Sequence, residues 1–420
     1  MPTLEENVNR VKAAKTAIGA AITAKGGTVG ANDGLEDFAA DIATIPSGGG
    51  GGSQPRKDVN FYDYDGTIVN SYTAAEFANL TEFPSNPSHD GLTTQGWNWD
   101  TLANAKAYVT SYGKLDIGQM YVTSDGKTRL YIRLGEGRLK PYLGLTGNSA
   151  GTAVSIDWGD NSAAETVTLD ASTVYTPHEY TSDGYYVIAI TIISGSISFM
   201  GDSTTNSNIF RKTGTPSSNR DIIYQNILTK LEIGGSVTAI GNHAFKNCFS
   251  LKSVTIPNSV TTIGAYVFHN CSSLKSITIP SSVTSIAQNN FENCYSLTSV
   301  TIPNSVTTIN SAVFSYCYSL TSVTIPNSVT TINSSVFSYC YSLTSVTIPN
   351  SVTSFGNSIF SGSYGIGFVK FSRTTPTPFG SSSFSGVPTD CIIYVPTGSL
   401  SDYTSAQNYP NPNTYTYVEY

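Results

Sequence analysis

At 420 residues the chain is too long for one ordinary domain, and two to four are expected. Charged residues make up only 12% of it and the formal charge is −7, which excludes the basic footprint that nucleic-acid binding requires. No apolar run approaches the roughly 18 residues of a membrane span, so membrane insertion is not expected either. The opening MPTLEENVNRVK is acidic and polar where a secretory signal would be basic and then apolar, and the closing NPNTYTYVEY carries no anchor. The expectation is a chain that stays in the cytoplasm, or leaves by another route such as assembly into a particle released by lysis.

The first predicted unit, residues 1–46, is a helical module. Leu4, Val8, Val11, Ile18 and Ile22 alternate spacings of four and three, with Lys15 in the one polar slot. That is either a short heptad seam or an amphipathic helix packed on its own domain. A second helix is predicted over Leu35 to Ile45, ending at Pro46. Residues 47–56 include SGGGGGS and read as a flexible linker. A module held off in this way suits attachment.

Residues 57–127 are predicted to form a small α+β domain, with helices over Thr73 to Leu80 and Thr101 to Val109. VNFYDYDG and QMYVTSDGKTRLYIRL read as strands with hairpin-type turns at Asp65-Gly66 and Asp125-Gly126. FYDYDGTIVNS, Phe61 to Ser71, resembles the nucleophile loop of the haloacid-dehalogenase superfamily. That resemblance would make Asp63 the nucleophile and Asp65 the general acid, around magnesium. Such an enzyme also needs a Rossmann-like sheet, a downstream Lys and an acidic pair. Only Lys114 and Asp116 are nearby candidates, so a simple turn at Asp65-Gly66 is expected.

Residues 128–200 alternate apolar and polar positions between turn signals, which predicts a β-sandwich. SIDWGD followed by HEYTSDGYYVIAITI resembles the PKD family of immunoglobulin-like domains through Trp158, Gly159, Asp160, His178, Tyr180, Gly184, Tyr186 and Val187. The resemblance implies structural roles for these residues and a spacer or adhesion module. GNSAG, Gly147 to Gly151, matches the G-x-S-x-G pattern, but between two sandwich strands it is expected to be a turn. His89, His178, His243 and His269 form no cluster in the sequence. Residues 201–227 read as a connector.

From Leu228 the sequence repeats. Cys248, Cys271, Cys294, Cys317 and Cys340 lie 23 apart, as do Pro257 through Pro349 and Phe245 through Phe360. The unit Leu-x-x-Val-x-Ile-Pro-x-x-Val-x-x-Ile-x-x-x-x-Phe-x-x-Cys is that of a leucine-rich repeat and resembles the BspA-like class of bacterial surface and some phage proteins. A solenoid over 228–372 is expected, with stacked, reduced, buried thiols and a C-terminal cap over 373–420 that breaks the period. No C-x-x-C or other metal-ligand spacing occurs, and no metal or cofactor is expected.

The predicted fold class is therefore multidomain: helical module, α+β domain, immunoglobulin-like sandwich, solenoid and cap. This module order resembles that of phage tail-fibre or tail-associated adhesins. It implies a non-enzymatic virion protein that docks on other tail proteins by its N-terminus, binds a host glycan or protein, and assembles as a homo-oligomer, most simply a trimer. The alternative is a BspA-like adhesin on a bacterial cell surface. A glycan-processing enzyme would need paired carboxylates that are not evident. From Asn293 to Val369 there is no Asp, Glu, Lys, Arg or His. Tyr295, Tyr316, Tyr318, Tyr339 and Tyr341 recur there around successive cysteines and are the candidate binding residues. They either form a recognition face or merely cover the repeat edges. The cap, or the α+β domain around Trp97 and Trp99, is the fallback site.

Overall fold

The computed structural model describes residues 57–99, 101–135, 139–199, 209–211 and 224–420. The helical module, its Leu4–Ile22 seam, the linker and most of the connector lie outside the described residues. What is described is mostly β with few helices, and Arg56–Tyr420 forms one unit.

The α+β domain holds strands β1 (Val59–Tyr62) and β2 (Ile68–Tyr72), helix α1 (Ala74–Ala78), β3 (Leu92–Trp97), helix α2 (Leu102–Tyr112) and β4 (Leu115–Thr123). Its sheet order is β2-β1-β4-β3, with β1 parallel to β4. A reciprocal Thr73–Glu76 capping box starts α1. Thr101 caps α2, and Ala105, Tyr108, Val109 and Tyr112 give it one buried stripe. The helix runs past the expected Val109 to Gly113, whose φ of 82° ends it.

The turn at Asp125-Gly126 is present, with Gly126 N–H donating to Thr123 O at 3.1 Å. It does not close a hairpin, however. β5 (Thr128–Leu134) turns away into the sandwich, where it pairs with β10 (Gly184–Ser194). The reason lies in the side chains: Leu130, Ile132 and Leu134 of β5 alternate inward onto the sandwich core, whereas β4 is covered on both faces.

Between β5 and β10 lie β6 (Tyr142–Gly147), β7 (Thr152–Asp157), β8 (Glu165–Leu169) and β9 (Thr173–Pro177). After them come β11 (Ile197–Phe199), β12 (Phe210–Arg211), β13 (Leu228–Glu232) and β14 (Val237–Ile240). The two sandwich sheets do not stop at the repeats. β13 pairs antiparallel with β5 and parallel with Ser253–Thr255, the first strand of the next rung. β14 pairs parallel with β11 and with Thr262–Ile263. Each sheet thus becomes one strand ladder of the solenoid, and a single apolar core runs from Leu130 to Tyr403. The sandwich closes the N-terminal end of the array, as a solenoid requires.

Within the solenoid, Phe245, Phe268, Phe291, Phe314, Phe337 and Phe360 stack at centroid distances of 5.6 to 6.0 Å. The repeat cysteines are buried and free. Each thiol from Cys271 to Cys340 donates to the carbonyl of the Phe one rung earlier, at 3.2 to 3.3 Å. Ser363 makes the same bond to Phe337 O at 2.6 Å. Burial pushes the Cys340 thiol up to about 12, which leaves it protonated and unreactive. The C-terminal tail leaves the 23-residue period but keeps the ladder. Phe368–Phe371, Ile392–Val395 and Thr416–Glu419 continue it in parallel, with spacings of 24 residues. Ile393 and Val395 fill the inward slots that Val and Ile occupy in the repeats.

The α+β domain is seated on the strand face of the array. Asn98, 1% exposed, donates through Nδ2 to Ile279 O and Thr301 O at 3.2 Å, while its Oδ1 accepts from Gly118 N–H at 2.7 Å. Tyr108 Oη donates to Ile325 O at 2.7 Å, and Asp116 N–H to Thr324 Oγ1 at 3.1 Å. A Cβ on Gly118 would meet the hydroxyls of Thr278 and Thr301 at 2.4 Å, so only glycine lets β4 approach this closely. Gly118→Val should accordingly destabilise the docked state by about 1–3 kcal/mol, the scale of overpacking a filled site. Urea unfolding should show a lowered midpoint, with faster proteolysis near Asp125-Gly126. An unchanged midpoint and digestion pattern would mean that this contact does not hold the domain in place.

Candidate functional site

The 23-residue register builds two aromatic columns at the corner where each rung turns through its cysteine. Tyr295, Tyr318 and Tyr341 stack at 4.9 and 4.6 Å, and Tyr364 extends the column at 5.6 Å. Tyr316 and Tyr339 stack at 4.6 Å in the second column. The columns meet edge to face, Tyr316 with Tyr318 at 6.2 Å and Tyr339 with Tyr341 at 6.4 Å. The five predicted tyrosines therefore come together on one wall. Tyr364 was missed because its rung carries Ser363 in place of the cysteine used as the guide. Its distance of one repeat from Tyr341 was the available signal.

The second column ends at Gly362, whose Cβ would sit 2.5 Å from the Tyr339 ring. Tyr295 and Tyr341 are each 41% exposed and Tyr364 is 60% exposed, so ring faces and hydroxyls reach solvent. Desolvation, then the neighbouring Tyr339 and Tyr318, raise the pKa of Tyr316 above that of a free phenol. Desolvation, then Tyr318 and Tyr364, do the same for Tyr341. Flat, neutral rings with polar tips suit a sugar ring or an apolar protein patch.

The catalytic look-alikes are occupied otherwise. Asp63 is 5% exposed, with Oδ2 at 2.6 Å from His89 Nε2 and Oδ1 accepting from Tyr64 N–H. Asp65 Oδ1 caps its own turn through Thr67 N–H at 2.9 Å, and Gly66 takes φ 89° there. Asp116 is buried against the solenoid, held by Asn60 Nδ2 at 3.0 Å and Ser322 Oγ at 3.3 Å. Lys114 lines the same cavity of about 240 Å³. Ser149 sits in the β6–β7 turn. Trp97 and Trp99, the fallback site, are 7% and 4% exposed and belong to the α+β core. Among the described residues no group of three His, Cys, Asp or Glu converges, and no helix is long and apolar enough to cross a membrane.

Residues 238–367 match the BspA type leucine rich repeat region in six copies. Similar solved structures include a leucine-rich repeat protein of T. pallidum, at 22% identity over 41% of this chain and 78% of that one, with TM-score 0.30. One from Bacteroides ovatus shows 26% identity over 40% of this chain and 55% of that one, with TM-score 0.30. A leucine rich cell surface protein from Faecalibacterium prausnitzii shows 23% identity over 53% of this chain and 92% of that one, with TM-score 0.22. No curated protein matches. The repeat array is thus a leucine-rich-repeat solenoid, and its repeats are of the BspA type.

The Trp158-Gly159-Asp160 turn illustrates a structural, not catalytic, use of a titratable cluster. His178 stacks on Trp158 at 4.6 Å and meets Asp160 Oδ2 at 2.8 Å. Burial raises the Asp160 pKa, but hydrogen bonds from Ser162 and then His178 outweigh it and bring the carboxyl down to about 2. A depressed folded pKa stabilises above the unfolded value of about 3.9 and is lost as pH falls towards 2. Asp160→Asn should therefore be less stable than the parent at pH 6, with the gap narrowing between pH 4 and pH 2. Urea midpoints across that range test this, and a gap independent of pH would refute it.

Proposed function

We propose that the chain is a non-catalytic adhesin that recognises a glycan or protein on a cell surface through the tyrosine wall of its repeat array. The observation that carries this reading is the variation within one structural slot. The slot of Tyr295, Tyr318, Tyr341 and Tyr364 holds Phe249 and Ser272 in earlier rungs, and that of Tyr316 and Tyr339 holds Asn247, Asn270 and Asn293. The fold accepts those smaller residues, so it does not demand tyrosine. The absence of charge from Asn293 to Val369 leaves ring faces and hydroxyls as the available recognition chemistry.

The BspA-type match supports the bacterial cell surface as the setting. The tail-fibre setting rests on module order and on residues 1–46, which lie outside the described residues. Docking through that module and assembly as a trimer belong to the same proposal. An enzymatic role finds no support in Asp63, Asp65 or Ser149, whose side chains are engaged in turns and local bonds.

Tyr318→Ala/Tyr341→Ala should weaken binding to target cells by roughly tenfold or more, about 1.4 kcal/mol. The thermal midpoint should stay within a few degrees. Binding through the wall, measured in an Arg133→Gln/Lys252→Gln background, should be nearly unchanged between low and physiological salt, because no ion pair is involved. Equal binding by the double variant would remove the wall from recognition.

A further inference from the structure

A second surface differs from the tyrosine wall in carrying charge. Where the sandwich meets the first rungs, a cleft of about 760 Å³ is lined by Tyr131, Arg133, Tyr185, Lys230 and Lys252. The chain has only 22 Lys and Arg in all, so three cations on one cleft is a concentration. Lys230 is neutralised by Glu232 at 2.7 Å, and Tyr131 Oη also donates to Glu232 at 2.9 Å. Arg133 and Lys252 are exposed, and among the described residues neither lies within ion-pair distance of an acid.

The register shows that the fold does not ask for this charge. Lys252 and Lys275 share a slot that holds Thr229, Thr298, Thr321 and Thr344 in other rungs. They stack directly, Lys275 N–H donating to Lys252 O at 3.3 Å. Like charges on adjacent strands repel, so this pair is unfavourable unless an anion lies beside it. Threonine, which satisfies the ladder elsewhere, would avoid the repulsion. Tyr185 adds the other half of a site. It is 75% exposed, with the Arg133 guanidinium 5.6 Å from its ring centroid. An exposed ring flanked by a cation is a platform for a sugar bearing an anion.

We propose that this cleft binds an acidic glycan, its carboxylate or phosphate held by Arg133 and Lys252 and a sugar ring laid on Tyr185. The site does not depend on the tyrosine wall. Calorimetry on the full chain would use oligogalacturonate as the carboxylate probe, oligomeric glycerol phosphate as the phosphate probe, and maltotetraose as the neutral control. At least one anionic probe should bind, and its affinity should fall several-fold from low to physiological salt. Which of the two binds identifies the anion. Arg133→Gln/Lys252→Gln should weaken that binding roughly tenfold, since charge-assisted hydrogen bonds are lost. Tyr318→Ala/Tyr341→Ala should leave it unchanged. Both lysine and arginine side chains are exposed, so the variant should keep the parent's unfolding midpoint. The proposal is overturned if neither anionic probe outbinds maltotetraose, if the Gln variant binds as tightly as the parent, or if polyaspartate binds as tightly as either glycan.

Discussion

Everything in this molecule follows from in-register stacking at one repeat per rung. Thr307 N–H donates to Thr284 O, Thr330 N–H to Thr307 O and Thr353 N–H to Thr330 O, each at 2.9 Å, so every side chain lies on its own counterpart. A slot is favourable only if its residue can tolerate a copy of itself about 4.8 Å away. Phenylalanine can, as the stack of nearly parallel rings shows. A repeated charge repels its copy, as at Lys252 and Lys275. In one partly buried slot Lys246, His269 and Glu292 replace one another, and His269 Nδ1 lies 3.2 Å from Glu292 Oε2. From there on the slot holds Ser315, Ser338 and Ser361. The charge-free stretch is thus a consequence of repetition: a charged residue copied rung after rung would repel itself.

Stacking leaves two problems, open ends and an open polar face. The sandwich answers the first at the N-terminus by merging both of its sheets with the first rung. The C-terminal tail answers it with further rungs and an aromatic plug in which Tyr403, 1% exposed, donates to Arg373 O. The α+β domain answers the second. Ser276, Thr278, Ser299, Thr301 and Thr324 point outward from the ladder yet are buried, because the α+β domain covers them, with the Tyr64–Gly66 turn over Ser276, and β4 and Asn98 over Thr278 and Thr301. Among the surfaces that stay exposed are the cysteine corner with its tyrosines, the basic cleft beside the sandwich, and the outward threonines Thr261, Thr284, Thr307, Thr330 and Thr353 of the second ladder.

The period, the inward residues and the tyrosine slots were legible in the sequence because each is written several times over. The turns at Asp65-Gly66 and GNSAG were legible because glycine at positive φ is a local property. The docking was not. Outward Ser and Thr on a strand read as solvent-facing, and nothing local marks Gly118 or Asn98 as partners of residues some 160 or more positions away. The partner of β5 was hidden for the same reason: its alternation predicts a strand but not the sheet it joins. Trp97 and Trp99 looked available because aromatic residues in a polar stretch can serve either a core or a surface, and only the fold decides.

Repetition also supplies an internal control on what each residue is for. The slot of Tyr316 and Tyr339 requires left-handed backbone in every copy, with φ of 59° and 58° at these tyrosines. Asn247, Asn270 and Asn293 occupy it at φ 61°, 62° and 61°, where asparagine is at ease. They also bridge rungs, Asn270 Nδ2 donating to Asn247 Oδ1 at 2.7 Å and Asn293 Nδ2 to Asn270 Oδ1 at 2.8 Å. Tyrosine at the next two rungs gives up both advantages, since a bulky side chain is disfavoured at positive φ and the amide ladder ends. Gly362 then restores an easy left-handed residue at the following rung. The array thus departs from its own most comfortable residue at the two rungs where the second column stands beside Tyr318 and Tyr341. The local conflict between backbone preference and side chain falls where the two tyrosine columns stand side by side, and the array tolerates a similar conflict at His243 and Tyr266, whose slot is also left-handed in every copy.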